Sequence, residues 1–284
     1  MSDVLVLRRG GLGDTLLMLP TVRALRREHA CRLHFAGQQE FTAVLAAFLA
    51  VDVAMSSEDL QVWALAGERR DAVVARLRRF ARIVSDDAAV AAAAAAHTRV
   101  DVLPTLAHGT EPLGLQLAHR LGLVPRWPDD AWLLPPGAVA AGGPCVLAPG
   151  SGGVHKCWPR RHWLRLADAL GAAALRIVVG PAELERDDPR RWPWPAGTEF
   201  LADVTAVELA QQLRAAGCFV GNDSGPTHLA AALGVPTVAI FGPTDPRVWA
   251  PVGPHVHVVG GGGRALAGVE VGEVAAAAAR ARSR

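Results

Sequence analysis

The sequence predicts an α/β protein of two doubly wound domains facing a central cleft, and three observations carry that prediction. Short apolar runs bounded by glycine or proline alternate with helical patterns along both halves of the chain. An uncharged stretch rich in proline and glycine, residues 135–144, separates the two series. The length of 284 residues accommodates two domains of roughly 140 residues each. The expected boundaries are residues 1–138 and 143–268, followed by a C-terminal helix within 269–284 that packs back on the first domain.

Val4–Leu7 is the first buried strand, closed by Arg-Gly-Gly. A helix from about Thr15 to Glu28 follows, then a strand at Leu33–Ala36. Helical patterns at Phe41–Leu49, Arg70–Arg79, Ala88–Ala96 and Pro112–Leu121 alternate with strands near Val51, Ile83 and Val100. The alanines of 91–96 are strong helix formers and carry no further meaning. Beyond the linker the alternation restarts with the strand Val146–Ala148, the helix Arg160–Leu170 and the strand Arg176–Val179. Then come the helix Ala206–Ala215, a strand ending at Val220, a helix through Leu229–Leu233, and the strand Pro236–Phe241. Glu273–Arg282 is the last helix.

Composition excludes several function classes. A hydrophobic share of 51% with 20% charged residues is that of a globular chain. The net charge of +2 and the lack of a basic run interleaved with aromatics argue against nucleic acid as a partner. Cys31, Cys145, Cys157 and Cys218 form no CxxC pair and read as small buried hydrophobes in a reducing compartment. His255 and His257 would share one strand face, but they lack a third ligand, so no metal site is expected. The longest uncharged run, 131–154, is broken by prolines and cannot span a membrane as one helix. Lys156 is the sole lysine among 29 basic residues, in a chain whose composition otherwise favours arginine.

Three loops carry chemistry. Gly10-Gly11-Leu12-Gly13-Asp14 follows the first strand and opens the first helix. It fails the dinucleotide fingerprint, because the third glycine would fall at Leu16 and the second strand ends without an acid. Asp14 presents a carboxylate at the cleft and is equally suited to cap the helix; both can hold. Gly150-Ser151-Gly152-Gly153 through Lys156-Cys157-Trp158-Pro159 combines accessible amides, a hydroxyl and an ammonium, which is what a diphosphate needs. Trp158 reads as a packing anchor rather than a stacking platform. Asp223-Ser224-Gly225-Pro226-Thr227-His228 joins a strand to a helix start, aiming unpaired amides and a positive dipole end at any anion there. Asp223 is free to accept sugar hydroxyls, whereas His228 is either a site residue or a satisfied core histidine. Glu183, after Gly180-Pro181, sits where a ribose could reach it or where it is simply a solvated first-turn glutamate. No Asp-x-Asp pair is present to hold a metal–nucleotide complex.

Taken in order, these loops resemble glycosyltransferase family 9, the family of the ADP-heptose:lipopolysaccharide heptosyltransferases. The matching residues are Gly13-Asp14-Thr15-Leu16 with Leu19-Pro20, Gly150-Ser151 through Lys156-x-Trp158-Pro159, and Gly221–His228 with Gly242–Pro246. The resemblance implies a GT-B-like fold of two Rossmann-like domains, the N-terminal one binding the acceptor and the C-terminal one the nucleotide-sugar. It implies inversion at the anomeric carbon without metal or cofactor, with an ADP-sugar, ADP-heptose above all, as substrate. Asp14 then stands as general base, Lys156 as phosphate ligand, Ser224 and Gly225 as the diphosphate turn, Asp223 as a donor-sugar contact and Glu183 as the ribose acid. Gly13, Gly150, Ser151 and His228 complete the expected nucleotide-sugar site. The acceptor implied is a lipopolysaccharide core or another surface glycan; the alternatives are a transferase acting on a small natural product and, in a different class, a non-catalytic nucleotide-sugar-binding protein. The implied location is the cytoplasm, with at most peripheral contact at the cytoplasmic face of the inner membrane.

Overall fold

The computed structural model describes residues 2–103, 109–135, 142–171 and 174–283, which fall into two compact units, Met1–Leu133 and Leu134–Arg284. Residues 136–141 of the expected linker lie outside the described residues.

The first unit is built on a parallel sheet of β1 (Asp3–Leu7), β2 (Arg32–Gly37), β3 (Val53–Ser56), β4 (Arg82–Ser85) and β5 (Arg99–Val102), in the order β3-β2-β1-β4-β5. Helices α1 (Leu12–Leu16), α2 (Leu19–His29), α3 (Gln39–Ala47), α4 (Arg70–Leu77), α5 (Ala88–Ala94) and α6 (Leu113–Arg120) connect and flank it. Strands covered on both faces must be apolar throughout, and Val4–Leu7 is buried at every position. One helix expected over Thr15–Glu28 is in fact two. Pro20 offers no N–H to an earlier carbonyl and its ring would strike the carbonyl of Leu16, so the chain breaks at Leu17–Met18 and α2 restarts with Pro20 in its first turn.

The second unit carries a parallel sheet in the order β11-β10-β9-β6-β7-β8. Its strands are β6 (Cys145–Ala148), β7 (Leu175–Val179), β8 (Glu199–Ala202), β9 (Cys218–Asn222), β10 (Thr237–Phe241) and β11 (Val256–Gly260). Its helices are α7 (Arg160–Leu170), α8 (Pro181–Arg186), α9 (Ala206–Leu213), α10 (Gly225–Ala232), α11 (Pro246–Trp249) and α12 (Val271–Arg282). The apolar periodicity does not announce β8, an edge strand whose Glu199 and Phe200 are exposed. The final helix, expected to pack back on the first domain, instead commits its buried face to the second. Val274, Ala277, Ala278 and Ala281 of α12 belong to the same core as Trp158, Trp163, Val220 and Ile240. Alanines on that face let the helix lie close to the strands, and full burial of a Val or Leu in such a core is worth about 1.5–3 kcal/mol. Cys31, Cys145 and Cys218 are buried free thiols, whereas Cys157 is partly exposed.

Both sheets have a topological switch point. In the first, the chain leaves β1 for β2 on one side and later reaches β4 on the other; in the second, β6 and β9 are the neighbours where the direction reverses. Loops leaving the carboxyl ends of such a strand pair diverge and open a crevice, where open α/β sheets bind their ligands. The loop of Asp14 leaves β1, and those of Lys156 and Asp223 leave β6 and β9.

Candidate active site

In the first unit, Gly13 and Asp14 lie in α1, and Asp14 does cap the helix: the Gly11 amide donates to its Oδ2 at 3.0 Å. A side chain at position 10 would press against the Asp14 carboxyl, so the glycine is what lets that carboxyl fold back. Asp14 nevertheless retains 38% side-chain exposure, and its Oδ1 faces the Arg8 guanidinium at 3.8 Å. Arg8 is itself buried and paired with Asp86 at 3.3 Å. Burial pushes the Asp86 carboxyl above its ordinary value, against the opposing pull of Arg8.

The second unit assembles the other expected residues in one cluster. Asn222, at the end of β9 and fully buried, holds it together: its side-chain amide donates to the Pro149 carbonyl at 2.7 Å and to the Gly150 carbonyl at 3.3 Å, while its Oδ1 accepts from the Trp158 amide at 3.1 Å. The loop after β6 is thereby pinned to β9 at both its ends. Ser151 adds a third tie, its hydroxyl donating to the Asp223 carbonyl at 2.9 Å. Trp158 is a packing anchor, as its place in the sequence suggests: it is buried, donates to the Val269 carbonyl at 3.0 Å and meets Trp163 edge-on.

Lys156 donates to Asp223 Oδ2 at 2.8 Å, and the Thr244 hydroxyl donates to the same oxygen at 2.8 Å. His228, buried at the start of α10, brings Nε2 to 4.0 Å from the other carboxylate oxygen. The residues expected as separate phosphate and sugar contacts are therefore coupled: Asp223 fixes the ammonium. An ammonium has three protons, so one bond to Asp223 leaves it able to meet an anion as well. Ser224 and Gly225 open α10, with Pro226 in its first turn, so their amides have no carbonyl one turn back to bond.

Glu183, in the first turn of α8, accepts from the Gly180 amide at 2.7 Å. Its other oxygen lies against Gly150, where any Cβ would overlap it. Gly150 and Glu183 thus depend on each other sterically, which their separation in sequence hides. Burial raises the Glu183 carboxyl above its ordinary 4.5, opposed by the Gly180 amide, its own amide and Arg186. Arg186 clamps the glycine loop by donating to the carbonyls of Ser151 and Gly152 at 3.1 and 2.8 Å. Beside Gly150 and Glu183 opens a cavity of about 260 Å³, walled further by Trp158, Arg160, Ala182 and Trp192. Arg160 lies over the Trp192 ring at 5.2 Å.

Thr244, Asn222, Arg186, Arg8 and Asp86 were not among the expected site residues. Asn222 and Thr244 sit inside the quoted motifs, so their position was visible and their role was not. Among the described residues no group of three His, Cys, Asp or Glu side chains could hold a metal ion, and no helix is long and apolar enough to cross a membrane.

Comparison with known proteins bears on this same segment. Residues 138–273 match the glycosyltransferase family 9 (heptosyltransferase) model. Lipopolysaccharide heptosyltransferase 3 of Escherichia coli is 32% identical over 115 residues, covering 37% of this chain and 33% of that protein. Lipopolysaccharide heptosyltransferase 1 of Pseudomonas aeruginosa is 38% identical over 106 residues, covering 36% and 29%. The aligned segments thus span about a third of the length of these curated relatives. Among solved structures, E. coli ADP-heptose lps heptosyltransferase II aligns with a TM-score of 0.74 at 20% identity, covering 99% of this chain and 98% of that one. E. coli heptosyltransferase WaaC with ADP aligns with a TM-score of 0.71 at 20% identity, covering 98% and 99%. These likenesses identify the α/β architecture as GT-B-like. Residues 138–273 are thus similar to glycosyltransferase family 9, and the fold of the chain is that of the solved heptosyltransferases.

Proposed function

We propose that the chain is an inverting glycosyltransferase that moves a sugar, heptose, from an ADP-sugar to a hydroxyl of a lipopolysaccharide core or other surface glycan. One observation carries the proposal: the sole lysine of the sequence stands at the switch point of the second sheet, fixed by Asp223 beside the amides that open α10, within the segment matched to family 9. The sequence relatives are lipopolysaccharide heptosyltransferases, and one structural neighbour holds ADP, which supports this donor.

In this reading the diphosphate meets Lys156 and the amides of Ser224 and Gly225, while the Ser151 hydroxyl, donating to the Asp223 carbonyl, holds the two loops together. The ribose hydroxyls donate to Glu183, and the base occupies the cavity beside it. Asp14 takes the proton of the acceptor hydroxyl as that oxygen bonds to the anomeric carbon. The bond from that carbon to the diphosphate oxygen breaks, its electron pair leaves on ADP, and attack from the opposite face inverts the centre. Fixed dipoles and an ammonium stabilise the departing charge, so the scheme has no step for a metal or cofactor. The protein would act in the cytoplasm, touching the inner membrane at most peripherally.

Thermal denaturation with a panel of ADP- and UDP-sugars tests the donor, because a bound ligand raises the melting temperature by mass action. ADP-heptose should give the largest shift. Asp14→Ala should lower turnover by about 10²–10⁴-fold while keeping that shift. Undiminished turnover would remove Asp14 from the role, and a flat panel would remove the donor assignment.

A further inference from the structure

The register of the first sheet puts two arginines opposite two aspartates. Leu7 of β1 pairs with Ser85 of β4, so the next residues, Arg8 and Arg9, leave the sheet beside Asp86 and Asp87. Arg9 bonds Asp87 at 2.6 Å, and Asp87 also caps α5 by accepting from the amides of Ala89 and Val90, so that pair has an evident structural task. The inner pair differs. Arg8 is only 5% exposed, holds Asp86 with Nη1 at 3.3 Å, and turns Nη2 towards Asp14 at 3.8 Å. Asp86 caps no helix among the described residues, and its Oδ1 is buried without a hydrogen-bond partner among them. Such a pair is costly to bury, and a purely structural contact could be made by apolar side chains instead.

We propose that Asp86 is a positioning residue for the sugar transfer, acting through Arg8 on Asp14. The inference rests on the role of Asp14 as general base. Asp14 is gripped from two sides, by the Gly11 amide at Oδ2 and by the Arg8 guanidinium at Oδ1. A bare guanidinium there would hold the carboxylate in place but stabilise its charge, weakening it as a proton acceptor. Asp86 supplies the compensating charge, so Arg8 orients Asp14 without disarming it. The charged groups around Asp86 are Arg8, Arg9 and Asp87, and the one facing Asp14 is Arg8.

The coupling predicts shifts of opposite sign. Asp86→Asn takes from Arg8 the carboxylate at 3.3 Å, so kcat falls, the donor KM holds, and the acid limb of the kcat profile moves down. Arg8→Met removes the cation and leaves the carboxylates of Asp14 and Asp86 without it, so the limb moves up. Asp86→Glu keeps the charge and should restore most of kcat, which a side chain needed only for packing would not do. The Gly11 amide proton gives a second readout independent of turnover: its NMR shift follows ionisation of the carboxylate it bonds, and its pH midpoint should move with the same signs. Unmoved midpoints in both variants, with kcat falling only in proportion to the folded fraction, would overturn the proposal. A wild-type protein that transfers no sugar while these midpoints still diverge would instead overturn the sugar-transfer reading, and with it the catalytic purpose of the coupling.

Discussion

Replacing Lys156 by alanine tests its structural tie to Asp223 and its proposed contact with the diphosphate separately. Its ammonium bonds Asp223 at 2.8 Å, with side-chain exposures of 28% and 8%. Removing one partner of a fully buried pair costs about 3–5 kcal/mol, because the other charge is stranded. Here the loss should be smaller, since Lys156 is partly solvated and Asp223 keeps the Thr244 hydroxyl at 2.8 Å. A charge-assisted hydrogen bond is worth about 1.5–3 kcal/mol, and solvent screening discounts the lower end to about 1. At about 2–4 °C per kcal/mol for a domain of this size, the melting temperature should fall by about 2–12 °C. Binding supplies the second number. If the same ammonium also meets the diphosphate, ADP loses a contact of about 1.5–3 kcal/mol, a rise in Kd of roughly 10- to 150-fold. Calorimetry with ADP, performed well below the lowered melting temperature, reads this directly. Asp223→Asn is the companion: it releases the ammonium from its carboxylate, so ADP affinity should hold or rise even as stability falls. An alanine variant that melts lower yet binds ADP with unchanged Kd would refute the reasoning, reducing Lys156 to a structural tie.

Two further predictions concern the glycine loop. Gly150→Ala should drive Glu183 outward, because the new Cβ overlaps the far end of a flexible side chain rather than backbone; stability should change by no more than about 1 kcal/mol, the worth of the lost Gly180 cap, while ADP binding weakens as much as in Glu183→Ala. Isothermal titration of the two single variants and the double variant checks this, and additive losses would contradict it. The raised Glu183 carboxyl makes a pH prediction with a definite sign. Because the folded state holds the proton more tightly than the unfolded one, the contribution of Glu183 to stability is intact below about pH 4.5 and is lost as pH rises through the folded value. Glu183→Gln lacks that titration, so its unfolding free energy relative to wild type should climb across the weakly acid range and then level off. Urea denaturation from pH 4 to 8 measures the difference, and a constant one would show that Glu183 does not report burial.

Much of this site was legible because its residues sit in short contiguous loops with unusual chemistry. A lone lysine, a run of small residues after an apolar strand, and a proline in the first turn of a helix each have a local physical meaning. The failures share a cause as well: they concern contacts between residues distant in sequence. Nothing local tells that Glu183 lies on Gly150, that Lys156 is tied to Asp223, or that α12 spends its apolar face on the second core. The broken first helix is a different case, since Pro20 was present in the pattern and its steric rule suffices to end a helix there.

Strand order explains why the readable loops are also the ones that converge. An apolar run announces a buried strand but not its neighbours, and the function of a loop depends on those neighbours. β6 is beside β9 although more than sixty residues separate them, and β1 is beside β4 in the same way. At each of these two points the polypeptide departs to opposite sides, leaving backbone amides and side chains at the sheet edge uncovered by a crossover helix. In the second sheet that edge received Asn222, which welds the two loops, and Lys156 with Asp223, which charge them. In the first it received Asp14 with the Arg8–Asp86 pair. The same topological device, used twice, leaves a carboxylate at the edge of one sheet and an ammonium beside helix-start amides at the edge of the other; a fold with its switch points elsewhere would bury these same motifs under crossover helices.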